Sequence, residues 1–155
     1  MSAKYGRRYT SGFSLIEIMI ALAILALLVT FAVPAYRDYV IRAENSRAIS
    51  DIGIISVVIE RYRLHNGDDL PPGLDAIDRA WLDPWDAPYV YTNLIGEKGK
   101  GSSRKNKNLN PINTDYDLYS TGPDGDSAAP LTAKKSLDDI VRANNGAFIG
   151  IAEDY

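Results

Sequence analysis

Two reactive side chains are scarce in this sequence: cysteine is absent, and His65 is the single histidine. The missing thiols exclude disulfides, thiolate metal sites and a cysteine nucleophile. One imidazole cannot build a multi-histidine zinc site or a histidine pair for acid–base chemistry. The formal net charge is −3, so bulk charge gives no reason to expect nucleic acid as a partner. Phosphate-binding loops and a Gly-x-Ser-x-Gly motif are also missing, and we expect no enzyme activity.

Charge is almost missing from one long segment near the N-terminus. Residues 1–12 contain three basic side chains and no acid, whereas residues 13–36 are almost wholly apolar and carry Glu17 as their only charge. About 24 helical residues can cross a hydrocarbon core of roughly 30 Å. The basic residues in front predict that residues 1–12 stay in the cytoplasm and that the rest is exported. No cleavage signal follows the apolar run, so we expect it to remain in the mature protein; a plain membrane anchor is the alternative.

The start of the apolar run carries a specific motif. Residues 12–17 read GFSLIE and resemble the processing site of type IV prepilins and pseudopilins. The resemblance implies that a membrane peptidase cleaves after Gly12 and methylates the new amine on Phe13. Pro34 falls where members of this family often have a helix-kinking proline. A carboxylate in an apolar helix is unfavourable unless it is paired, so we expect Glu17 to meet the Phe13 amine of its own or a neighbouring subunit; an unpaired, interfacial Glu17 is the alternative.

The helix is predicted to continue beyond Pro34 to about His65, which we interpret as a solvated residue next to the stop signal Asn66-Gly67. An apolar stripe at helical spacing predicts the face that packs on a sheet: Ala48, Ile52, Ile55, Ile59 and Tyr62. We expect an α+β, pilin-like fold in which a long N-terminal helix, membrane-spanning in its first half, packs on a small antiparallel sheet. The expected divisions are a cleaved leader (1–12), an apolar transmembrane and filament-core helix (13–36) and a periplasmic domain (37–155).

Turns and short strands are predicted after the helix. Residues 74–82 are expected to form a short helix, and residues 89–91, 116–120 and 147–151 are expected to form strands. Residues 96–110 are polar and rich in lysine and arginine, which predicts a mobile surface loop. Docking of an acidic partner or of lipid headgroups is the alternative for this loop.

Two segments of the C-terminal domain resemble the major pseudopilins of type II secretion systems. Residues 83–91 (DPWDAPYVY) are similar to their Asp-Pro-Trp-Gly-Asn-Pro-Tyr segment, and residues 117–125 with 138–140 are similar to their second strand and calcium loop. There are two departures. Asp86 stands where glycine is usual, and no tryptophan follows Ile140.

This resemblance implies a structural calcium ion in the segment 121–140. Calcium takes about six to eight hard oxygen ligands. The implied ligands are Asp124, Asp139 or alternatively Asp138, and the backbone carbonyls near Thr121 and Leu137. The residues alone leave two other interpretations open, because Pro-Asp-Gly is a common turn and residues 136–139 could begin a helix with Ser136 as its cap.

The resemblance also implies a function. It predicts a structural subunit of a periplasmic pseudopilus that drives protein export by type II secretion, anchored by one span in the bacterial inner membrane until it assembles. Its partners would be further copies of itself, minor pseudopilins, the inner-membrane assembly platform and the prepilin peptidase. A type IV pilin for adhesion, motility or DNA uptake is the alternative, although many such pilins close a loop with a disulfide. A membrane-anchored enzyme using Asp138 and Asp139 is the other class considered.

Overall fold

The structure of the protein, a computed structural model, describes residues 12–77, 81–95 and 103–155. Within these ranges the chain forms one long helix and four strands, which are α1 (Leu15–His65), β1 (Val90–Asn93), β2 (Tyr116–Ser120), β3 (Ile140–Ala143) and β4 (Phe148–Ile151). The chain divides into two compact units, Met1–Val40 and Ile41–Tyr155. The predicted α+β class is confirmed.

Helix α1 ends where the sequence predicts. The backbone N–H of Asp68 donates to the carbonyl of Arg63 at 3.0 Å, and Gly67 has a positive φ of 68°. A bond between residues five apart, closed across a left-handed glycine, is typical of a Schellman turn, which satisfies carbonyls that the helix leaves unpaired. His65 is exposed, and its Nδ1 lies 2.7 Å from the carbonyl of Arg61.

The four described strands form one antiparallel sheet in the order β1-β2-β3-β4. The predicted strand at 116–120 is confirmed, and the other two predicted strands shift by one or two residues to β1 and β4. Strand β3 was not predicted, because its residues follow directly on the supposed calcium loop. The predicted helix over 74–82 is wrong in its described part, since only the short 3-10 turn Leu74–Ala76 forms there; residues 78–80 lie outside the described ranges.

One face of the sheet packs against the second half of α1. The predicted stripe is confirmed, because Ala48, Ile52, Ile55 and Ile59 are fully buried and Tyr62 is half-buried. They share a core with the alternate residues of β2 and β3 that point to the same face, namely Tyr116, Leu118 and Ile140. The period of two along each strand places the neighbouring residues on the opposite face.

The opposite face of the sheet is covered by irregular chain, which we call the loop layer (residues 103–113 and 121–139). Ile112 and Leu131 of this layer pack with Val141 and Ala143 of β3. The backbone of Lys105 ties the two parts of the layer together, because its N–H donates to Ala129 at 2.7 Å and its carbonyl accepts from Leu131 at 2.9 Å. The loop layer therefore closes a second core.

The expectation of a mobile surface loop over 96–110 needs correction. Ser103 and Arg104 are buried, although residues 107–110 are exposed as expected. Burial follows from the loop layer's position over the second face of the sheet, where Arg104 contacts Asp117 and Tyr119. Residues 96–102 lie outside the described ranges.

Candidate functional site

The motif at the start of α1 forms a reciprocal cap. The backbone N–H of Glu17 donates to Ser14 Oγ at 3.2 Å, and Glu17 Oε2 accepts from the backbone N–H of Ser14 at 3.1 Å. Since α1 begins at Leu15, Ser14 is the N-cap and Glu17 is the third helical residue, which is the arrangement called a capping box. The Glu17 carboxylate is thus fixed beside residue 13 by its own helix. Ser14 was not expected to have a role, although the spacing Ser-x-x-Glu is the sequence signal for this cap.

The side chains around the expected processing point and along the apolar run are exposed. Phe13 is 84% exposed, and large apolar residues remain open to solvent from there to Val33. Pro34 lies inside α1 and has no N–H to donate to the carbonyl four residues earlier. Among the described residues, α1 is the helix long and apolar enough to cross a membrane. Such a surface is unstable in water and needs lipid or other helices around it.

The turn at residues 83–88, which we call the Asp-Pro-Trp turn, is organised by one buried carboxylate. Asp83 Oδ1 accepts from the backbone N–H groups of Trp85 at 3.0 Å and Ala87 at 2.9 Å. Asp83 Oδ2 accepts from Ser120 Oγ at 2.5 Å, which fastens the turn to the end of β2. Asp86, the residue that stands where glycine is usual, has φ = 64°. This left-handed conformation is one that glycine adopts freely and that aspartate tolerates.

The same turn and Tyr89, the residue in front of β1, are tied to α1 by polar contacts. Trp85 Nε1 donates to Glu44 at 3.1 Å, and the Tyr89 hydroxyl donates to Asp51 at 3.2 Å. Burial, reinforced by the nearby Asp51, raises the pKa of Tyr89 far above its ordinary value, so the tyrosine remains a donor. The Asp-Pro-Trp turn therefore links helix and sheet within the second unit.

The side chains proposed for calcium are divided between two environments. Asp124 is exposed, and its Oδ1 accepts from the backbone N–H of Asp126 at 2.8 Å within a tight turn. Asp138 Oδ2 accepts from the backbone N–H of Asp124 at 3.4 Å. The carbonyl of Leu137 accepts from Glu153 at 3.1 Å. Among residues 12–77, 81–95 and 103–155, no three His, Cys, Asp or Glu side chains are grouped so that they could hold a metal ion.

Asp139 is fully buried and paired with an arginine. Its Oδ2 accepts from Arg104 Nη2 and, at 2.7 Å, from Ser127 Oγ, and Oδ1 has no hydrogen-bond partner. Burial raises the pKa of Asp139 to about 6, while the bonds from Ser127 and Arg104 act in the opposite direction. Neither Arg104 nor Ser127 was foreseen from the sequence. A basic segment and an acidic loop in one small domain indicate that some ion pair could form between them. The spacing of the residues does not say which basic side chain meets which acidic one.

The calcium site stays a prediction, and the arrangement around Asp139 does not fit it well. A calcium ion bound to this carboxylate at about 2.4 Å would lie on the order of 5 Å from the guanidinium of Arg104. The two cations would repel each other in a site from which water is excluded. Asp139 and Asp124 are engaged separately, Asp139 by arginine and Asp124 in its own turn, whereas Asp138, the alternative ligand, lies beside Asp124.

A second buried arginine lies on the helix side of the sheet. Arg142 donates to both carboxylate oxygens of Asp115, at 2.9 and 2.7 Å, and its guanidinium stacks 3.9 Å from the ring centre of Tyr116. Burial alone would raise the pKa of Asp115, but the bonds and charge of Arg142, together with the bond from the backbone N–H of Tyr116, outweigh it and lower that pKa. This pair joins β3 to the residue in front of β2.

The capped, apolar N-terminal helix and its antiparallel sheet together define a type IV pilin-like subunit. A family described as "Prokaryotic N-terminal methylation motif" matches residues 7–33. The chain is 31% identical over 140 residues to type II secretion system core protein G of Pseudomonas aeruginosa, covering 77% of this chain and 87% of the relative. It is similarly 31% identical over 137 residues to the core protein G of Escherichia coli (strain K12), with coverages of 74% and 83%.

A fimbrial relative is equally similar. Type IV major fimbrial protein FimA of Dichelobacter nodosus is 30% identical over 141 residues, covering 89% of this chain and 84% of the relative. No solved structure matches the chain. The chain belongs to the type IV pilin-like family that includes these core G and fimbrial proteins.

Proposed function

We propose that this protein is a structural subunit of a periplasmic pseudopilus that drives protein export by type II secretion. The observation that carries the proposal is the first half of α1, whose large apolar side chains are exposed from Phe13 to Val33 and whose one acidic residue, Glu17, takes part in the helix cap. The similarity to two core G proteins over about three quarters of the chain supports the secretion role. The role is structural and involves no catalysis.

The exposed half of α1 is surrounded first by membrane lipid and later by the helices of other subunits. Before assembly it spans the inner membrane as a single segment, with residues 37–155 in the periplasm. In the filament the same side chains pack against the helices of other copies, because only such packing can replace lipid around them. Cleavage after Gly12 by the prepilin peptidase frees the Phe13 amine, and a separate transfer from a methyl donor then methylates it. Glu17, already held at this end of the helix by Ser14, is placed to receive the amine of a neighbouring subunit.

The remaining partners follow from this assembly route. The assembly platform in the inner membrane would extract each subunit, and minor pseudopilins would share the filament with the copies of this chain. A type IV pilin serving adhesion, motility or DNA uptake is the second candidate. The similarity to a fimbrial protein over 89% of the chain supports this second candidate.

Substitution of Glu17 tests the assembly role. We expect Glu17→Gln to abolish sheared filaments and the release of a secreted substrate, in a host that lacks its own major subunit and carries the remaining secretion genes. Asp38→Asn is the matched control, because it removes an exposed acid from the same helix outside the apolar run. Filaments of wild-type amount from Glu17→Gln would refute the assembly mechanism. Wild-type filaments that reach the cell surface without restoring secretion would favour the pilin instead.

A further inference from the structure

Arg104 is a charged residue in the interior of the loop layer. Its side chain is 3% exposed, and the guanidinium stands 4.3 Å from the ring centre of Tyr119 on β2. Lysine or arginine is almost never buried unless its charge is compensated. The position of Arg104 therefore requires a compensating set of groups around it.

Three oxygens of different chemical kinds supply this compensation. Nη1 donates to the hydroxyl of Ser127 and to the backbone carbonyl of Ala128, each at 2.5 Å, and Nη2 donates to the carboxylate of Asp139. Ser127 in turn donates to the same carboxylate at 2.7 Å. The four groups form one closed cluster.

The cluster joins parts of the chain that are far apart in sequence. Ser127 and Ala128 lie midway along the connection between β2 and β3, and Asp139 is the last residue before β3. The backbone N–H of Arg104 also donates to Asp117 on β2 at 2.6 Å. Arg104 thus fastens the middle of this connection to both strands that it joins. Because the connection holds little apolar side chain to order it, such a tie replaces contacts that a hydrophobic loop would make.

A carboxylate, a hydroxyl and a carbonyl are also the oxygens that a calcium ion takes in proteins. A guanidinium is another cation that can satisfy several such oxygens at once, through planar and directional N–H donors. We propose that the guanidinium of Arg104 is the cation that holds the connection between β2 and β3 in place, in the role that a bound metal ion would otherwise have. We further propose that the domain folds without calcium. A cation carried on the chain cannot be lost to a chelator or to a calcium-poor medium. This inference does not depend on whether the filament serves secretion or a pilus.

The wild-type chain gives the first test and needs no variant. The full-length protein in detergent would be unfolded by heat, followed by tryptophan fluorescence, with excess calcium chloride and then with EGTA. We expect the two midpoints to coincide. If calcium bound only the folded state, a free calcium concentration about a hundred times the dissociation constant would raise the unfolding midpoint by about 10 °C. A rise of that kind, lost in Asp124→Ala, would overturn the proposal.

Variants at Arg104 give the second test. Arg104→Met keeps most of the side-chain volume and removes the charge, which leaves Asp139 buried and uncompensated, so we expect the midpoint to fall by about 10–20 °C. Lys107→Met is the matched control, because Lys107 is an exposed cation three residues away, and we expect a change of about 2 °C or less. Equal effects of the two substitutions would contradict the role of Arg104.

A double variant keeps the test decisive if Arg104→Met fails to fold. Removing both charges in Arg104→Met/Asp139→Leu takes away the uncompensated carboxylate, and replacement of a buried pair by apolar groups is often neutral. We expect the double variant to recover a folded domain with a midpoint well above that of the single variant. A double variant as unstable as Arg104→Met would show that the two residues do not compensate each other.

Discussion

Replacing Asp83 by alanine removes a buried acceptor on which the whole Asp-Pro-Trp turn depends. Asp83 is 2% exposed and accepts from the N–H groups of Trp85 and Ala87 and from the hydroxyl of Ser120. A hydrogen bond to a charged group contributes about 1.5–3 kcal/mol, so three of them set an upper bound of about 4.5–9 kcal/mol. Trp85 and Ala87 are only half-buried, and water can reach part of the turn in the variant. We therefore expect Asp83→Ala to lower the free energy of unfolding by about 3–5 kcal/mol.

The measurement is denaturant unfolding of the full-length chain in detergent, followed by the fluorescence of Trp81 and Trp85. Asp83→Asn keeps one carbonyl oxygen for the two backbone donors, and we expect it to lose only about 1–2 kcal/mol. Asp86→Gly is the matched control in the same turn. Because Asp86 has φ = 64°, glycine relieves a left-handed aspartate, and we expect a change between zero and a gain of about 1 kcal/mol.

Two outcomes would refute this reasoning about the turn. If Asp83→Ala lost less than about 1 kcal/mol, the buried carboxylate would not be what holds the turn together. If Asp83→Asn were as damaging as Asp83→Ala, the negative charge would matter rather than the acceptor geometry.

Three further predictions concern the rest of the chain. Ile55→Ala should lower the free energy of unfolding by about 2–5 kcal/mol in the same denaturant assay, since Ile55 is fully buried between α1 and the sheet. Arg142 lowers the pKa of Asp115, so this pair contributes stability that is present above about pH 4 and is lost as the pH falls through the depressed pKa. Measuring the free energy of unfolding at decreasing pH should show that loss in the wild type and less of it in Asp115→Asn. Ser14→Ala should reduce the filament yield while leaving the unfolding midpoint of the domain unchanged, because it removes the Oγ that accepts from the Glu17 N–H and so loosens the first helical turn, which carries the Glu17 carboxylate; a normal yield would contradict the positioning role.

The elements with a strong local period were predictable from the sequence. The apolar stripe from Ala48 to Ile59 has helical spacing, and Asn66-Gly67 is a stop signal that needs no tertiary context, so the predicted end of α1 is confirmed. Strand β2 alternates cleanly and is flanked by turn residues, which fixed both of its ends. These signals lie within a few residues of the structures they specify.

The second face of the sheet could not be predicted, because its cover comes from residues with no local period. Arg104 lies in a polar, glycine- and serine-rich stretch, which is a pattern typical of exposed loops. Its burial depends on Asp139, which is 35 residues away, and on the position of Ser127. Strand β3 was missed for a related reason. The two aspartates in front of it resemble the end of an ion-binding loop, and the apolar run behind them is only two residues long.

Folding and assembly depend on different parts of this chain. The buried apolar residues of the described ranges run from Ala48 to Ala152, whereas the large apolar residues between Phe13 and Val33 are exposed. A substitution such as Glu17→Gln should therefore remove filaments and leave the unfolding midpoint unchanged, while Arg104→Met should lower the midpoint first. If Arg104→Met chains that remain folded still assemble at low temperature, the arginine acts on the stability of the domain alone. If they remain folded and fail to assemble, the connection between β2 and β3 takes part in contacts between subunits.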